Sequence, residues 1–399
     1  MPNYQRLRFD PNHARIIGGL LRLRAQLDRE IGIRSRDKTL RLATWNIREF
    51  DSASYGSRTT DAYYYIAEIV SRFDLVAVQE VRRDLRALKT LMSHLGSDWE
   101  YLVTDTTEGT RGNNERLAFV YDRRKVRFTG IAAELVLPPI RRDGVLIPAN
   151  QVARTPFTAS FRSGWVSFEL TTVHIIYGES TAVSPERVEE IGAVAQLLAA
   201  RGGKDGTSNN LVLLGDFNIF ARGDATLLAL IDAGWTIPKP LQSVPGSNVA
   251  KDKFYDQIAV LSRAHQFHPA GPAGVFDYYE SVFRDQDQEA YIPDMGDAYE
   301  TTSAGKARTE TGKRTHYRTW RTYQLSDHLP MWIDLKVDYS EGTSAAWRRR
   351  PTRSDSRSDL GRRPLGRGSL LGGTTGASVA RMTAGSATSR CTEGLPALP

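Results

Sequence analysis

The chain has 399 residues, 40% hydrophobic and 25% charged, the profile of a globular protein with a sizeable core rather than of a fibrous or disordered one. No apolar run reaches the roughly 18 residues that a spanning helix needs, so no membrane span is expected. The net charge of +7 sits almost wholly at one end: residues 341–399 hold ten arginines against four acids, which leaves the first 340 residues close to neutral. High charge is therefore no argument that the folded body binds nucleic acid. The N-terminal MPNYQRLRFDPNHARIIGG lacks the charged-then-apolar pattern of a secretory signal. The lone Cys391 excludes an intramolecular disulfide and a cysteine-based zinc site, and a reducing, cytoplasmic home is expected.

From Pro11 to Ile31, apolar residues at mostly helical spacing (Ile16, Ile17, Leu20, Leu21, Leu23, Leu27, Ile31) predict an amphipathic helix within a lead-in covering 1–37. Its stripe either docks on the body or meets a membrane surface or a partner. The main domain is expected over 38–339. Apolar runs bounded by turn residues predict strands at Leu40–Ile47, Leu75–Val78, Leu117–Tyr121, Phe157–Phe161, Val166–Ile176, Leu211–Leu214 and Ile258–Leu261. Helical patterns at Ala62–Arg72, Leu85–Leu95 and Ser184–Ala200 fall between several of them, the last opening Ser-Pro-Glu, a helix-start signal. Two runs meeting at Gly164 predict an antiparallel hairpin. The class is α/β, with a mixed sheet or two packed sheets and outer helices rather than one parallel sheet. Leu137–Pro156 and about 264–321 read as insertions. Residues 340–399 read as an Arg/Gly/Ser-rich disordered tail, either a solvated appendage or a tether.

Polar signatures stand where the apolar runs end. In order they are Thr44-Trp45-Asn46-Ile47-Arg48, Val78-Gln79-Glu80-Val81-Arg82, Glu115, His174 in Thr-Val-His-Ile-Ile, Gly215-Asp216-Phe217-Asn218, Asp256 in Tyr-Asp-Gln-Ile, and Ser326-Asp327-His328-Leu329-Pro330. Strand ends throw such groups to one sheet edge, where loops build sites. Glu80, Asp216, Asp256 and Asp327 with Asn46 and Asn218 offer oxygen ligands for a hard cation such as Mg2+ or Mn2+. Two histidines add groups that titrate near neutrality. Taken singly, each signature has a plainer reading: a surface or capping carboxylate, a satisfied core histidine, a turn.

The ordered set, spanning about Leu40 to Val337, resembles the endonuclease/exonuclease/phosphatase superfamily. The resemblance implies a four-layer α/β sandwich, two packed β-sheets flanked by helices, with the site at one edge. It implies Glu80 as principal metal ligand with Asn46 beside it, and Asp327 and Asp216 completing the metal environment or handling the nucleophilic water. Asn218 is similar to the amide that bonds the scissile phosphate. His328, oriented by Asp256, resembles the base that activates water, and His174, held by Glu115, the group that stabilises or protonates the leaving oxygen. Arg82 resembles a phosphate-contacting arginine of the deoxyribonuclease I branch, toward which the Tyr-Asp-Gln-Ile and central His patterns lean. Asn113 and Asn114 depart from that branch, which has an aromatic and a basic residue before the glutamate.

Lys306, Arg308, Lys313, Arg314, Arg318 and Arg321, interleaved with His316, Tyr317, Trp320 and Tyr323, read either as a grip for a phosphate backbone or as a solvated strand pair with a buried aromatic face. The expected function is an Mg2+- or Mn2+-dependent nuclease with nucleic acid as substrate. Its rivals are a phosphatase or phosphodiesterase on inositol phosphates, phospholipid head groups or nucleotides, and a non-catalytic binding module on the same fold.

Overall fold

The computed structural model describes residues 2–50, 56–107, 112–202, 210–262 and 267–340; the tail expected over 340–399 lies, from 341 on, outside the described residues. The elements are, in chain order, α1 (His13–Glu30), β1 (Thr39–Phe50), α2 (Thr60–Val70), β2 (Leu75–Arg82), α3 (Arg86–Leu95), β3 (Trp99–Val103), β4 (Glu115–Asp122) and β5 (Arg127–Glu134). They continue with β6 (Ile140–Arg142), β7 (Val145–Ile147), β8 (Phe157–Ser163), β9 (Val166–His174), α4 (Pro185–Arg201), β10 (Asn210–Asp216) and α5 (Ala225–Asp232). The last are β11 (Asp256–Ser262), β12 (Pro269–Val275), α6 (Ile292–Met295), α7 (Glu310–Gln324) and β13 (Met331–Lys336).

Two mixed sheets result. One runs β12-β13-β1-β2-β4-β3 and the other β11-β10-β9-β8-β5. Each has one parallel pair, β1 with β2 and β9 with β10, among antiparallel neighbours. Period-two alternation sorts the first sheet between two cores. Leu40, Leu42, Leu75, Ala77, Leu117 and Phe119 face the second sheet and join Phe157, Phe161, Phe168 and Leu170 there. Ala43, Trp45, Val76, Val78, Ala118 and Val120 face the other way and are covered by α1, α2 and α3. Helices α4 and α5 close the opposite side through Ile191, Val194, Leu198 and Leu230. The α/β class with two packed mixed sheets flanked by helices is thus as expected.

Helix α1 buries Ile16, Leu20, Leu23 and Leu27 in the first core, so most of its stripe is covered by the body, while Ile17 and Leu21 stay exposed. Arg15 fixes it, pairing with the buried Asp61 of α2 at 2.8 Å. Within 264–321, Pro269–Val275 is an edge strand of the first sheet, and Phe276, Tyr278, Phe283 and Tyr291 pack into the first core. The basic-aromatic stretch differs from the strand pair weighed above: it is the helix α7, capped by Thr309 and burying Tyr317 and Trp320. Its charges are engaged locally, Arg321 with Asp285 at 2.9 Å and Lys313 with Glu300 at 2.7 Å.

Candidate active site

Strand register builds half of the site. On β9, β10 and β11 the residues His174, Asp216 and Asp256 stand in one row, since Asp216 is the register partner of both others. Neighbours in register share a sheet face, so three signatures far apart in sequence meet without any loop placing them. Gly215 makes the row possible. It has φ +139°, and a Cβ there would lie 2.1 Å from the Val173 carbonyl oxygen. Only glycine lets β10 run that close to the strand that ends in His174.

The first sheet supplies the other half through irregular backbone. The pairing of β2 with β4 slips between Val78 and Val81, a bulge that leaves Glu80 in the left-handed region at φ +60°. Glu49 (φ +41°) and Asn218 (φ +53°) flank the same cleft in equally uncommon conformations. Such strain persists where surrounding contacts impose it. Here the Glu49 N–H donates to Glu80 Oε2 at 2.6 Å, and Asn46 Nδ2 donates to Glu80 Oε1 at 2.9 Å and to Asp216 Oδ2 at 3.0 Å. Asn46 therefore ties the two sheets together.

His328 enters on the loop before β13. Ser326 Oγ donates to the Asn46 carbonyl at 2.6 Å and accepts from the N–H groups of His328 (3.0 Å) and Arg48 (3.1 Å). Trp45 Nε1 donates to the His328 carbonyl at 3.0 Å. His328 Nδ1 lies 2.8 Å from Asp256 Oδ2 and His328 Nε2 lies 3.7 Å from Asp216 Oδ2. His174 is arranged alike, Nδ1 2.9 Å from Glu115 Oε2 and Nε2 3.5 Å from the same Asp216 oxygen. Two histidine–carboxylate pairs thus point their free nitrogens at one aspartate.

Electrostatics follow from these neighbours. Burial alone would lower the His328 pKa, but Asp256 and Asp216 outweigh it and hold the imidazole well above its ordinary value. Burial likewise opposes ionisation of Glu115, yet His174 and then Arg154, whose Nε donates to Glu115 Oε2 at 2.9 Å, pull that carboxyl down to about 2. Glu80 is pushed up by its shielded position, with Glu115 and Asp327 adding to the push and His174 opposing it. A cation beside Glu80 would reverse that penalty.

The residues present suit a hard cation. Asn46 Oδ1 is buried and, among the described residues, has no hydrogen-bond partner, although the nitrogen of the same amide is doubly engaged. A buried amide oxygen left orphaned beside a carboxylate is a donor set of the kind Mg2+ or Mn2+ takes. Among the described residues, the ligand atoms of Glu80, Glu115 and His174 also come within 4.8 Å of one another. Glu115 is already neutralised by His174 and Arg154, which leaves Glu80 and Asn46 the better-suited pair.

Glu80, Glu115, His174, Asp216 and His328 line an open cleft of about 830 Å3 together with Arg82, Asp327 and Asn218, whereas Asn46 and Asp256 are buried and do not line it. Asp327 is its most open acid, 45% exposed and 3.5 Å from Arg48. Arg82 is held by Glu49 at 3.1 Å and by the Asn113 carbonyl. Asn218 donates its side-chain nitrogen to the Ile175 carbonyl at 2.8 Å. The sequence assigns no role to Arg48, Glu49, Arg154, Tyr177 and Tyr255, which line the same cleft. Arg48, closing Thr-Trp-Asn-Ile-Arg, and Tyr255, inside Tyr-Asp-Gln-Ile, carry a signal; Arg154 lies in a proline-rich stretch with no periodicity to place it.

A model of the Endonuclease/Exonuclease/phosphatase family matches residues 43–365 of the chain. The deoxyribonuclease of Thioalkalivibrio sp. (strain K90mix) is 32% identical over 192 residues, covering 45% of this chain and 46% of that protein. Deoxyribonuclease-1 of Rattus norvegicus is 28% identical over 187 residues, 45% of this chain and 60% of that one. The chain spans about half the length of the curated relatives it matches. A solved mannosyl-6-phosphatase from Bacteroides thetaiotaomicron is similar over 74% of this chain and 99% of its own, at 18% identity and a TM-score of 0.48.

Proposed function

Because the chain belongs to the endonuclease/exonuclease/phosphatase family, we propose that it is a divalent-metal-dependent nuclease that hydrolyses phosphodiester bonds of nucleic acid. The observation that carries this reading is the convergence of two histidine–carboxylate pairs on Asp216, next to Glu80 and the orphaned Asn46 oxygen. Glu80 and Asn46 would hold the cation, with Asp327 at the open side of the cleft, and a bound Mg2+ or Mn2+ would supply a Lewis acid for a phosphoryl oxygen.

The remaining roles belong to side chains. In its neutral form His328 takes the proton of the attacking water at Nε2, while Asp256 fixes its Nδ1 and stabilises the imidazolium that results. Asp216 sits between both imidazoles and orients that water. His174, backed by Glu115, stabilises or protonates the leaving oxygen. Asn218 and Arg82 contact the phosphate. Cys391 is the sole cysteine, so the fold owes nothing to internal disulfides, and we place the activity in the cytoplasm. Among the described residues no helix is long and apolar enough to cross a membrane.

Incubating the purified chain with supercoiled plasmid, single-stranded DNA and RNA tests this directly. Cleavage is expected with Mg2+ or Mn2+ and not with EDTA; inertness toward all three with either metal removes the nuclease reading. One observation favours a second substrate, a small phosphoester such as a sugar or inositol phosphate. The first 340 residues are nearly neutral, which offers little long-range attraction to a duplex. Release of inorganic phosphate from such metabolites, without polynucleotide cleavage, would establish it.

A further inference from the structure

One wall of the cleft carries a feature that hydrolysis of a bare phosphodiester does not require. Tyr177, just past the end of β9, is 41% exposed and lines the cleft with Tyr255, whose ring lies 5.4 Å from that of His328. The exposed ring is held in place. Tyr177 packs against Phe220 (5.7 Å) and meets Tyr255 edge-on (6.5 Å, 73°). The guanidinium of Arg187, a residue fully buried on α4, lies 5.6 Å from the Tyr177 ring and 4.7 Å from that of Phe220.

Arg187 also fixes the backbone of this segment. Its guanidinium donates to the Tyr177 carbonyl, to Glu179 O at 3.0 Å and to Thr181 O at 3.2 Å. Burying an arginine carries a desolvation cost that these three loop carbonyls offset, and the loop so fixed begins with an open aromatic ring that meets Tyr255, the ring next to His328. A rigid tyrosine offers a large flat face at little cost in conformational entropy.

We propose that Tyr177, backed by Arg187, Phe220 and Tyr255, is a stacking subsite for the nucleobase next to the scissile phosphate, and that the substrate class is single-stranded or locally unpaired polynucleotide. A base within an intact duplex presents only its edges in the grooves, and its face is taken by its neighbours; an unpaired base can lay its face on the ring. Stacking is indifferent to base identity, so the subsite confers strand-state preference rather than sequence preference. The near-neutral body accords with this, because a stacking grip relies less on phosphate neutralisation than a duplex grip does. The inference rests on the nuclease reading above.

The test uses the full chain with Mg2+ or Mn2+ and three end-labelled DNA substrates: a single strand, its duplex, and the single strand with one abasic residue walked past the cleavage position. The wild type should prefer the single strand and lose rate when the abasic residue falls in the subsite. Tyr177→Ala should lower kcat/KM on the intact single strand about ten- to hundredfold, with little further loss on the abasic strand. Tyr177→Phe, which keeps the ring, should stay within about threefold of the wild type. Equal loss by Tyr177→Ala on intact and abasic strands, or no loss on either, overturns the subsite while leaving the nuclease reading in place. Wild-type cleavage of duplex as fast as single strand overturns the strand preference. Failure to cleave any polynucleotide overturns this inference together with the reading beneath it.

Discussion

The proposed role of Asp256, fixing His328 Nδ1 and stabilising the imidazolium, sets the expected cost of removing its charge. Asp256 Oδ2 lies 2.8 Å from His328 Nδ1, its side chain is fully buried and that of His328 is 10% exposed, so water cannot replace the contact. Asp256→Asn keeps the volume and an acceptor oxygen but removes the charge that supports the imidazolium. A hydrogen bond to a charged group contributes about 1.5–3 kcal/mol. At about 1.4 kcal/mol per tenfold in rate, the variant should lose roughly 10–150-fold in kcat. His328→Ala removes the proposed base, and a loss of about 10²–10⁴-fold is expected. In the double variant the Asp256 change should then cost nothing further, because its one route to the reaction has gone. Single-turnover cleavage of a labelled strand under saturating metal measures all four proteins, with circular dichroism confirming folding. Multiplicative losses, or less than threefold from Asp256→Asn alone, would refute the pairing.

Four further outcomes follow from the same geometry. Glu80→Gln should weaken Mn2+ binding, read by electron paramagnetic resonance, by at least the roughly 10–100-fold typical of altering a ligand's own supports, whereas Glu115→Gln should weaken it less; the reverse order would move the metal toward His174. Tyr278 is fully buried and its hydroxyl donates to the carbonyls of Ser326 and His328, each at 2.8 Å, so Tyr278→Phe should lower stability by about 1–3 kcal/mol and kcat about tenfold with KM unchanged; a wild-type kcat would show that the loop needs no such brace. Gly215→Ala meets backbone strain on the order of 1–3 kcal/mol and a clash with Val173 O as well, and should give a protein with a much lower Tm and no cleavage activity. For Asp122, burial opposes ionisation, but Arg124 and Arg34 lower its pKa below the ordinary aspartate value. Its stabilising contribution is thus complete above the unfolded pKa of about 3.9 and is lost as pH falls through the lower folded value. The Tm gap between wild type and Asp122→Asn should accordingly be open at pH 7 and shrink toward pH 3, and a gap unchanged at pH 3 would contradict this.

What could be read from the sequence tracks how local the cause is. Strands β1, β2, β4, β8, β9, β10 and β11 announce themselves because each buries a run of β-branched, leucine or aromatic side chains. Strands β5 and β12 do not. They are sheet edges, one with mostly exposed residues and the other reading Pro-Ala-Gly-Pro-Ala-Gly-Val, and edges tolerate compositions that a pattern search rejects. Helix α7 went unseen because its apolar stripe is built from Tyr317 and Trp320 among charges, and its burial depends on an aromatic layer formed with Phe283 and Tyr291.

The site divides in the same way. The row of His174, Asp216 and Asp256 was implicit in where three apolar runs end, because register alone aligns them. Glu80 reaches that row by a different route. A regular β2 would alternate Gln79 and Glu80 to opposite faces; the bulge at Val78–Val81 and φ +60° are what bring Glu80 to the Asn46 amide while Gln79 stays buried, donating to Thr172 Oγ1 at 2.8 Å. Nothing in Val-Gln-Glu-Val announces that kink. It is imposed by contacts from Asn46 and from the Glu49 N–H, residues some thirty positions earlier, which themselves depend on Ser326 holding the Asn46 carbonyl from the far end of the chain. The strained carboxylate is therefore a product of the assembled sheets, and a change at Ser326 should be felt at Glu80 before it is felt in the core.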